Sequence, residues 1–248
     1  MTAVLAGKKV VLIGGTRGIG YATAQAALTA GADVVVASRD AASVARAREA
    51  LSAQAGRAVE GAALDVTDRP AVQAFVAAQA PFDHLCLPGS QAYRASFDEL
   101  DERAARDFFD AKFWGPFLAV HDARPCLRRG GSVVLYSGAA SRRPLPGYVV
   151  GAAIDGAVDA LTRSLAGTLA ADGIRVNCIS PGVVETDVTR MDRTEEQFQA
   201  WRDLHASRLP VGRIGRPREA AEAGVFLMSN GFVNGHVLHL DGGVEAIA

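Results

Sequence analysis

The apolar run Lys9-Val10-Val11-Leu12-Ile13 passes without a spacer into Gly14-Gly15-Thr16-Arg17-Gly18-Ile19-Gly20, and a helical pattern opens on the last two glycines. This junction constrains the fold more than any other stretch of the chain. Glycine lets the backbone turn tightly and approach a phosphate closely, which a Cβ would hinder. The helix that follows presents free N–H groups and the positive end of its dipole. A glycine trio alone is a weak signal. Set between a strand and a helix in the first βαβ unit, it reads as a dinucleotide pyrophosphate site, with Gly14, Thr16, Arg17, Gly18, Ile19 and Gly20 as contacts.

The rest of the chain repeats the alternation. Strands are expected at 9–13, 33–37, 58–64, 84–87, 132–137, 175–179 and 237–240. Several are apolar throughout, as in Val34-Val35-Val36, which suits strands buried on both faces of a parallel sheet. Helices are expected at 19–30, 41–53, 70–79, 100–127, 148–171 and 218–228. The β-α-β-α order predicts one α/β domain over 1–248, a doubly wound parallel sheet of Rossmann type. The least regular stretch, 183–216, follows a strand carboxyl end and is expected to form a substrate lid. Phe198 and Trp201 within it fit either a hydrophobic substrate or a subunit contact.

The kind of dinucleotide is read at the end of the second strand. Sites for the unphosphorylated cofactor place a carboxylate there, on the ribose 2′-hydroxyl. Here the run is Val36-Ala37-Ser38-Arg39, with no acid before Asp40. Ser38 and Arg39 suit a 2′-phosphate, and Arg17 could approach it from the glycine turn. Two guanidinium forks converging on one phosphate make a strong anion site, so NADP(H) is the expected cofactor.

Composition removes several other classes of function. A formal net charge of −1 on 248 residues gives no basic field for nucleic acid. No apolar run reaches the roughly 18 residues of a membrane span, and 1–9 is too short and polar to be a secretory signal. Cys86, Cys126 and Cys178 are scattered and odd in number, as expected of buried thiols in a reducing cytoplasm. His84, His121, His205, His236 and His239 show no metal-ligand spacing. The expected partner is therefore a small-molecule substrate.

With these features in place, the chain resembles the short-chain dehydrogenase/reductase family over nearly its whole length. The glycine turn matches the family's TGxxxGxG, with Ile13 in the Thr position. Leu64-Asp65-Val66 resembles the adenine-contacting Asp-Val. Arg175 to Gly182, followed by Thr186, resembles the segment that holds the nicotinamide carboxamide, and Leu240-Asp241-Gly242-Gly243 resembles the C-terminal signature. The resemblance implies cofactor contacts at Asp65, Val66, Gly89, Pro181, Gly182, Val184 and Thr186, and a homo-tetramer or homo-dimer.

The family's chemistry rests on an Asn-Ser-Tyr-Lys tetrad, and here the resemblance breaks. Leu161-Thr162-Arg163-Ser164-Leu165-Ala166 sets the register. It puts Asp155 in the Lys position, Gly151 in the Tyr position, Gly138 in the Ser position and Lys112 in the Asn position. The loop after the fourth strand reads Leu87-Pro88-Gly89-Ser90 in place of Asn-Asn-Ala-Gly. A divergent member lacking the usual catalytic residues is expected, with a Lys112–Asp155 ion pair as a double replacement. Asp155 could stabilise a cationic substrate or accept from the nicotinamide ribose hydroxyls. Tyr148, three residues before Gly151, is a substitute proton donor or a helix-start aromatic at a subunit contact. Ser137, in a strand beside Gly138, is expected to point away from the site, leaving Ser141 as a second hydroxyl. Three readings stay open: an NADPH-dependent reductase with an altered site, a non-redox isomerase or cyclase using Asp155 and Lys112, and a catalytically silent NADP(H)-binding regulator.

Overall fold

A computed structural model describes residues 3–89, 93–143, 145–190 and 193–246. Seven strands run in parallel: β1 Lys9–Ile13, β2 Asp33–Ser38, β3 Glu60–Ala63, β4 Phe82–Leu87, β5 Leu127–Tyr136, β6 Arg175–Pro181 and β7 Val237–Leu240. Their order in the sheet is β3-β2-β1-β4-β5-β6-β7. The chain winds outward from β1 to β3, then returns to lay β4 on the other side of β1. That reversal opens a crevice at the carboxyl ends of β1 and β4, where ligands of doubly wound sheets bind.

Alternate residues along each strand feed two cores. Val11, Ile13, Leu85, Leu87, Val133 and Leu135 pack with Phe75, Val120, Ile154 and Val158 on one face. Val10, Leu12, Val34, Val36, Val134 and Tyr136 pack with Ala24, Ala27, Leu51 and Leu227 on the other. Both faces are covered, so the strands have no polar side. Helices α1 Gly18–Thr29, α2 Ala41–Ala55 and α9 Pro217–Ser229 lie on the second face, and α3 Arg69–Gln79, α5 Gly115–Ala123 and α6 Val149–Leu169 on the first.

The helix expected over 100–127 is three pieces. α4 Glu102–Phe109 passes into a π-helical segment Asp110–Trp114, then into α5, and a 3-10 turn Arg124–Cys126 leads to β5. β5 begins at Leu127, five residues before the expected strand, and ends at Tyr136, so Ser137 follows the strand. The 183–216 stretch is more regular than its weak periodicity implied. It holds α7 Asp187–Arg190 and α8 Glu195–Ala206. The start of α8 is a capping box, Thr194 and Gln197 satisfying each other's backbone, and the Thr-Glu-Glu-Gln signature for it is present in the sequence. Phe198 is 1% exposed, stacks on Trp201 and lies under the Arg190 guanidinium, so its ring is committed to packing. Met191 and Asp192 of the same stretch lie outside the described residues, as does Ser90 after β4.

Cys86 and Cys178 are buried, and burial pushes both thiols up to about 12. His84 is buried against the Ser132 hydroxyl, and desolvation lowers it to about 4. Among the described residues no helix is long and apolar enough to cross a membrane, and no three His, Cys, Asp or Glu side chains are grouped to hold a metal.

The amino end of the sheet is tied by Asp83. Its carboxylate accepts from the Lys8 ammonium at 3.1 Å, the Lys9 amide at 2.9 Å and the Arg128 guanidinium at 2.9 Å. Burial pushes this carboxyl up, but the Lys9 amide and the Lys8 and Arg128 charges outweigh it and hold it below the usual range. Its stabilisation is therefore present above the unfolded-state pKa and is lost as pH falls through the depressed folded value. Asp83→Ala strands the Lys9 amide and is expected to destabilise by about 1–3 kcal/mol. Thermal melts check this: the deficit should be full at pH 7 and shrink toward pH 3.

Candidate active site

The crevice at the switch point is a cleft of about 650 Å³. Its floor is the glycine turn, and two of the glycines are sterically required. Gly14 has φ +104°, and a Cβ there would stand 2.4 Å from the Gly89 backbone. A Cβ on Gly20 would stand 2.0 Å from the Gly14 carbonyl oxygen. The turn is thus pressed against the loop after β4 on one side and against its own helix on the other. Asp40, Asp68, Asp101 and Thr194 cap α2, α3, α4 and α8 with their side chains. α1 has no side-chain cap: its N-cap is Arg17, in extended conformation. Its first-turn amides belong to the glycine turn that lines the cleft, a fit for an anionic pyrophosphate.

Of the residues expected to contact cofactor, Gly14, Thr16, Arg17, Gly18, Ile19, Gly20, Ser38, Arg39, Asp65, Val66, Gly89 and Thr186 line this cleft. Thr186 closes it from the β6 side, its side chain 3.5 Å from where a Gly18 Cβ would be. Pro181, Gly182 and Val184 do not line it, nor does Asp155, the other expected cofactor contact. Pro181 ends β6, the Gly182 amide donates to Leu240 O, and Val184 is buried and bridged to Gly215. Gly182 also lies flush on the C-terminal segment, since a Cβ there would be 2.7 Å from Asp241 Cα.

The four positions that the register matches to the family's tetrad, 112, 138, 151 and 155, lie around α6 on the first face. The Lys112 ammonium donates to Asp155 Oδ1 at 2.5 Å, so the expected ion pair is present. Both side chains are sequestered, at 12% and 4% exposure. Lys112 reaches α6 from the π-helical segment, a local widening of the helix that recurs at functional sites. Its neighbour Ala111 lines the cofactor cleft. Gly138 follows β5, and a Cβ on it would lie 2.6 Å from Asp155 Oδ2. The Asp155 carboxylate therefore occupies the room that a side chain at 138 would need. A Cβ on the buried Gly151, one turn before Asp155, would be in ordinary contact with Tyr148 Cδ1 at 3.8 Å and Phe108 Cε1 at 3.9 Å. Tyr148 thus flanks this position, with the Arg94 guanidinium 5.4 Å from its ring centre.

Burial pushes the Asp155 carboxyl above the usual carboxylate range, while the Lys112 charge and hydrogen bond pull it back. Asp155 Oδ1 is taken by Lys112, and among the described residues Oδ2 accepts no hydrogen bond. Ser137 is buried and accepts from the Cys178 thiol at 3.4 Å, and Cys178 packs in the first-face core with Ile154 and Val158 of α6. Ser141 contacts Asp159, one turn beyond Asp155. That turn was not foreseen as part of the site. Arg142 bonds Asp159 at 3.0 Å, Ser180 at 2.9 Å and Glu245 at 2.6 Å, tying the loop after β5 to the C-terminal segment. The i, i+4 spacing of Asp155 and Asp159 was its one local signal.

Residues 14–245 match the family described as Enoyl-(Acyl carrier protein) reductase. A crystal structure of a small-chain dehydrogenase in complex with NADPH is 33% identical, covers 96% of this chain and 99% of its own, and superposes with a TM-score of 0.82. The MalC Reductase/Diels-Alderase from Malbranchea aurantiaca is 26% identical over 98% of each chain, with a TM-score of 0.89. The inactive 2-(S)-hydroxypropyl-CoM dehydrogenase 2 of Xanthobacter autotrophicus (strain ATCC BAA-1158 / Py2) is 35% identical over 235 residues, 90% of this chain and 100% of that protein. By its sheet order, its glycine turn and a family match over nearly its whole length, this chain belongs to the short-chain dehydrogenase/reductase family.

Proposed function

We propose that the chain is an NADP(H)-dependent oxidoreductase with an atypical active site, which reduces a small molecule whose C=O or C=N group is already activated, as in an iminium ion. The observation that carries this reading is the sequestered Lys112–Asp155 pair set against glycine at 138 and 151. The uncapped α1 amides and the glycine turn would hold the pyrophosphate, and Arg17, Ser38 and Arg39 the 2′-phosphate. A relative described with NADPH bound supports that choice. Bound there, the nicotinamide supplies or takes up a hydride.

The residues of the chain decide which substrate can use it. A ketone oxygen must be protonated as it becomes an alcohol, and Gly151 offers no proton. An iminium carbon needs none. Asp155 Oδ2 is left to face a positive charge in a water-poor site, where a fixed carboxylate is worth far more than in bulk solvent. Lys112 fixes that carboxylate through Oδ1 and opposes the burial that would neutralise it. An activated carbonyl would draw its proton from Tyr148, whose ring borders the Gly151 space. The 183–216 segment, carrying Thr186 at the cleft, is the proposed substrate lid.

Two observations favour other readings of the same site. A relative named as both reductase and Diels-Alderase favours a cyclase or isomerase using Asp155 and Lys112. A relative named as inactive favours a silent NADP(H)-binding regulator. Incubation with NADPH and a panel of ketones, enones and cyclic imines, followed by cofactor absorbance, separates them. Imine turnover without ketone turnover is expected. Tight NADPH binding with no oxidation across the panel overturns the reductase reading, and substrate rearrangement without cofactor oxidation selects the cyclase.

Cation binding needs Asp155 ionised, so turnover is expected to fall as pH drops through its raised folded pKa. Lys112→Met removes the opposing charge and should move this acid limb to higher pH, read in the pH profile of kcat/KM. Gly138→Ser drives a side chain into the Asp155 carboxylate and is expected to lower stability by about 1–3 kcal/mol. The same serine combined with Asp155→Lys, Gly151→Tyr and Lys112→Asn removes the carboxylate it would meet and leaves no second ammonium beside the new lysine. The quadruple variant should be folded by circular dichroism and should gain ketone reduction that the parent lacks.

A further inference from the structure

The first carboxylate after β2 stands where it should oppose the cofactor just proposed. Asp40 lines the cleft beside Ser38 and Arg39, and a free carboxylate there would repel a 2′-phosphate. Its charge is instead consumed locally. Asp40 Oδ1 accepts from the Ala42 amide at 3.1 Å, and Oδ2 from the Ser43 amide at 3.2 Å and the Ser43 hydroxyl at 2.5 Å. These contacts, the Ser43 hydroxyl foremost, hold the carboxyl below its ordinary range, so it stays ionised. One turn along α2, Arg46 donates to Ser43 Oγ at 3.0 Å and lies 3.9 Å from Asp40 Oδ2.

Arg46 also lines a second groove, which runs outside α1 and meets the cofactor cleft at Thr16, Arg17, Gly18, Ser43, Thr186 and Asp187. Arg17, from the glycine turn, and Arg46, from α2, thus line the same groove, and Ser43, which Arg46 touches, lies where groove and cleft meet. An anion at the junction could draw a guanidinium from each element.

We propose that Arg46 is a cofactor-specificity residue, which both neutralises Asp40 and supplies a guanidinium to the 2′-phosphate. The inference rests on the NADP(H) reading above. A guanidinium suits the role because its planar fork can hold a carboxylate and a phosphate oxygen on different edges. Without Arg46, the Asp40 carboxylate keeps its bonds to Ala42 and Ser43 but loses the guanidinium 3.9 Å from it, so its charge weighs more heavily on a phosphate. Oδ1, which accepts the Ala42 amide, has a lone pair left for a ribose 2′-hydroxyl, the role of the carboxylate in sites for the unphosphorylated cofactor. The substitution should therefore weaken NADPH without weakening NADH.

The test is a titration of the full chain with NADPH and with NADH by cofactor fluorescence, at fixed ionic strength. The parent is expected to bind NADPH more tightly. Arg46→Ala should raise the NADPH Kd by roughly tenfold, as expected for loss of a charge-assisted bond to phosphate, and leave the NADH Kd unchanged or lower. Adding Asp40→Asn to Arg46→Ala should recover part of the NADPH affinity, because Asn still caps α2 while carrying no charge. Equal weakening of both cofactors, or no recovery by the second substitution, overturns the assignment of Arg46. A parent that prefers NADH overturns the NADP(H) reading itself, which keeps the two failures distinct. Thermal melts with and without cofactor confirm that each variant is folded.

Discussion

Everything functional in this molecule hangs on the contact between Gly14 and Gly89. Reversal of strand order places β1 beside β4, and their carboxyl ends must diverge for a crevice to open. The two loops leaving those strands still pass so closely that a Cβ on Gly14 would stand 2.4 Å from the Gly89 backbone, although one on Gly89 would meet only ordinary contacts. A side chain at 14 would push the loop after β4 outward and take the wall of the cofactor cleft with it. The uncapped start of α1 and the adjoining groove on α1 and α2 are positioned from that one backbone contact.

The second organising element is electrostatic. An ammonium and a carboxylate are held out of water beside two glycines, in a place where the removal of either partner leaves a charge that burial opposes. Gly138 and Asp155 form one steric unit: the carboxylate sits where a side chain at 138 would sit. Positions 112, 138 and 155 are therefore mutually dependent, and single replacements are expected to behave worse than the set.

Much of this was legible in the sequence, for a physical reason. Strands buried on both faces are apolar throughout, so β1 and β2 stood out as continuous runs, and the glycine turn followed from its place between strand and helix. The ion pair was legible only through the register of α6, because Lys112 and Asp155 are 43 residues apart. The Arg142–Glu245 contact spans 103 residues and leaves no local pattern. The break at 110–114 was hidden, since α- and π-helical turns use the same residues and differ only in which carbonyl each amide reaches. In 183–216 the Thr194 capping signature marks where α8 begins, but the low periodicity around it gives no helical pattern to attach it to.

The π-helical turn has a consequence for how this chain tolerates change in length. Such a turn carries one residue more than the α-helix around it, and each residue advances an α-helix by about 100°. Deleting a single residue between 110 and 114 would let the helix close into regular α geometry with the apolar stripe of α5 still in phase with α4, and only the facing of the turn itself, Lys112 included, would change. Winding the same five residues as regular α-helix without a deletion would instead rotate α5 by about 100° and carry its stripe off the sheet. The segment is a phase-shifter: it lets one continuous helix serve a polar site at its middle and a hydrophobic core at its end.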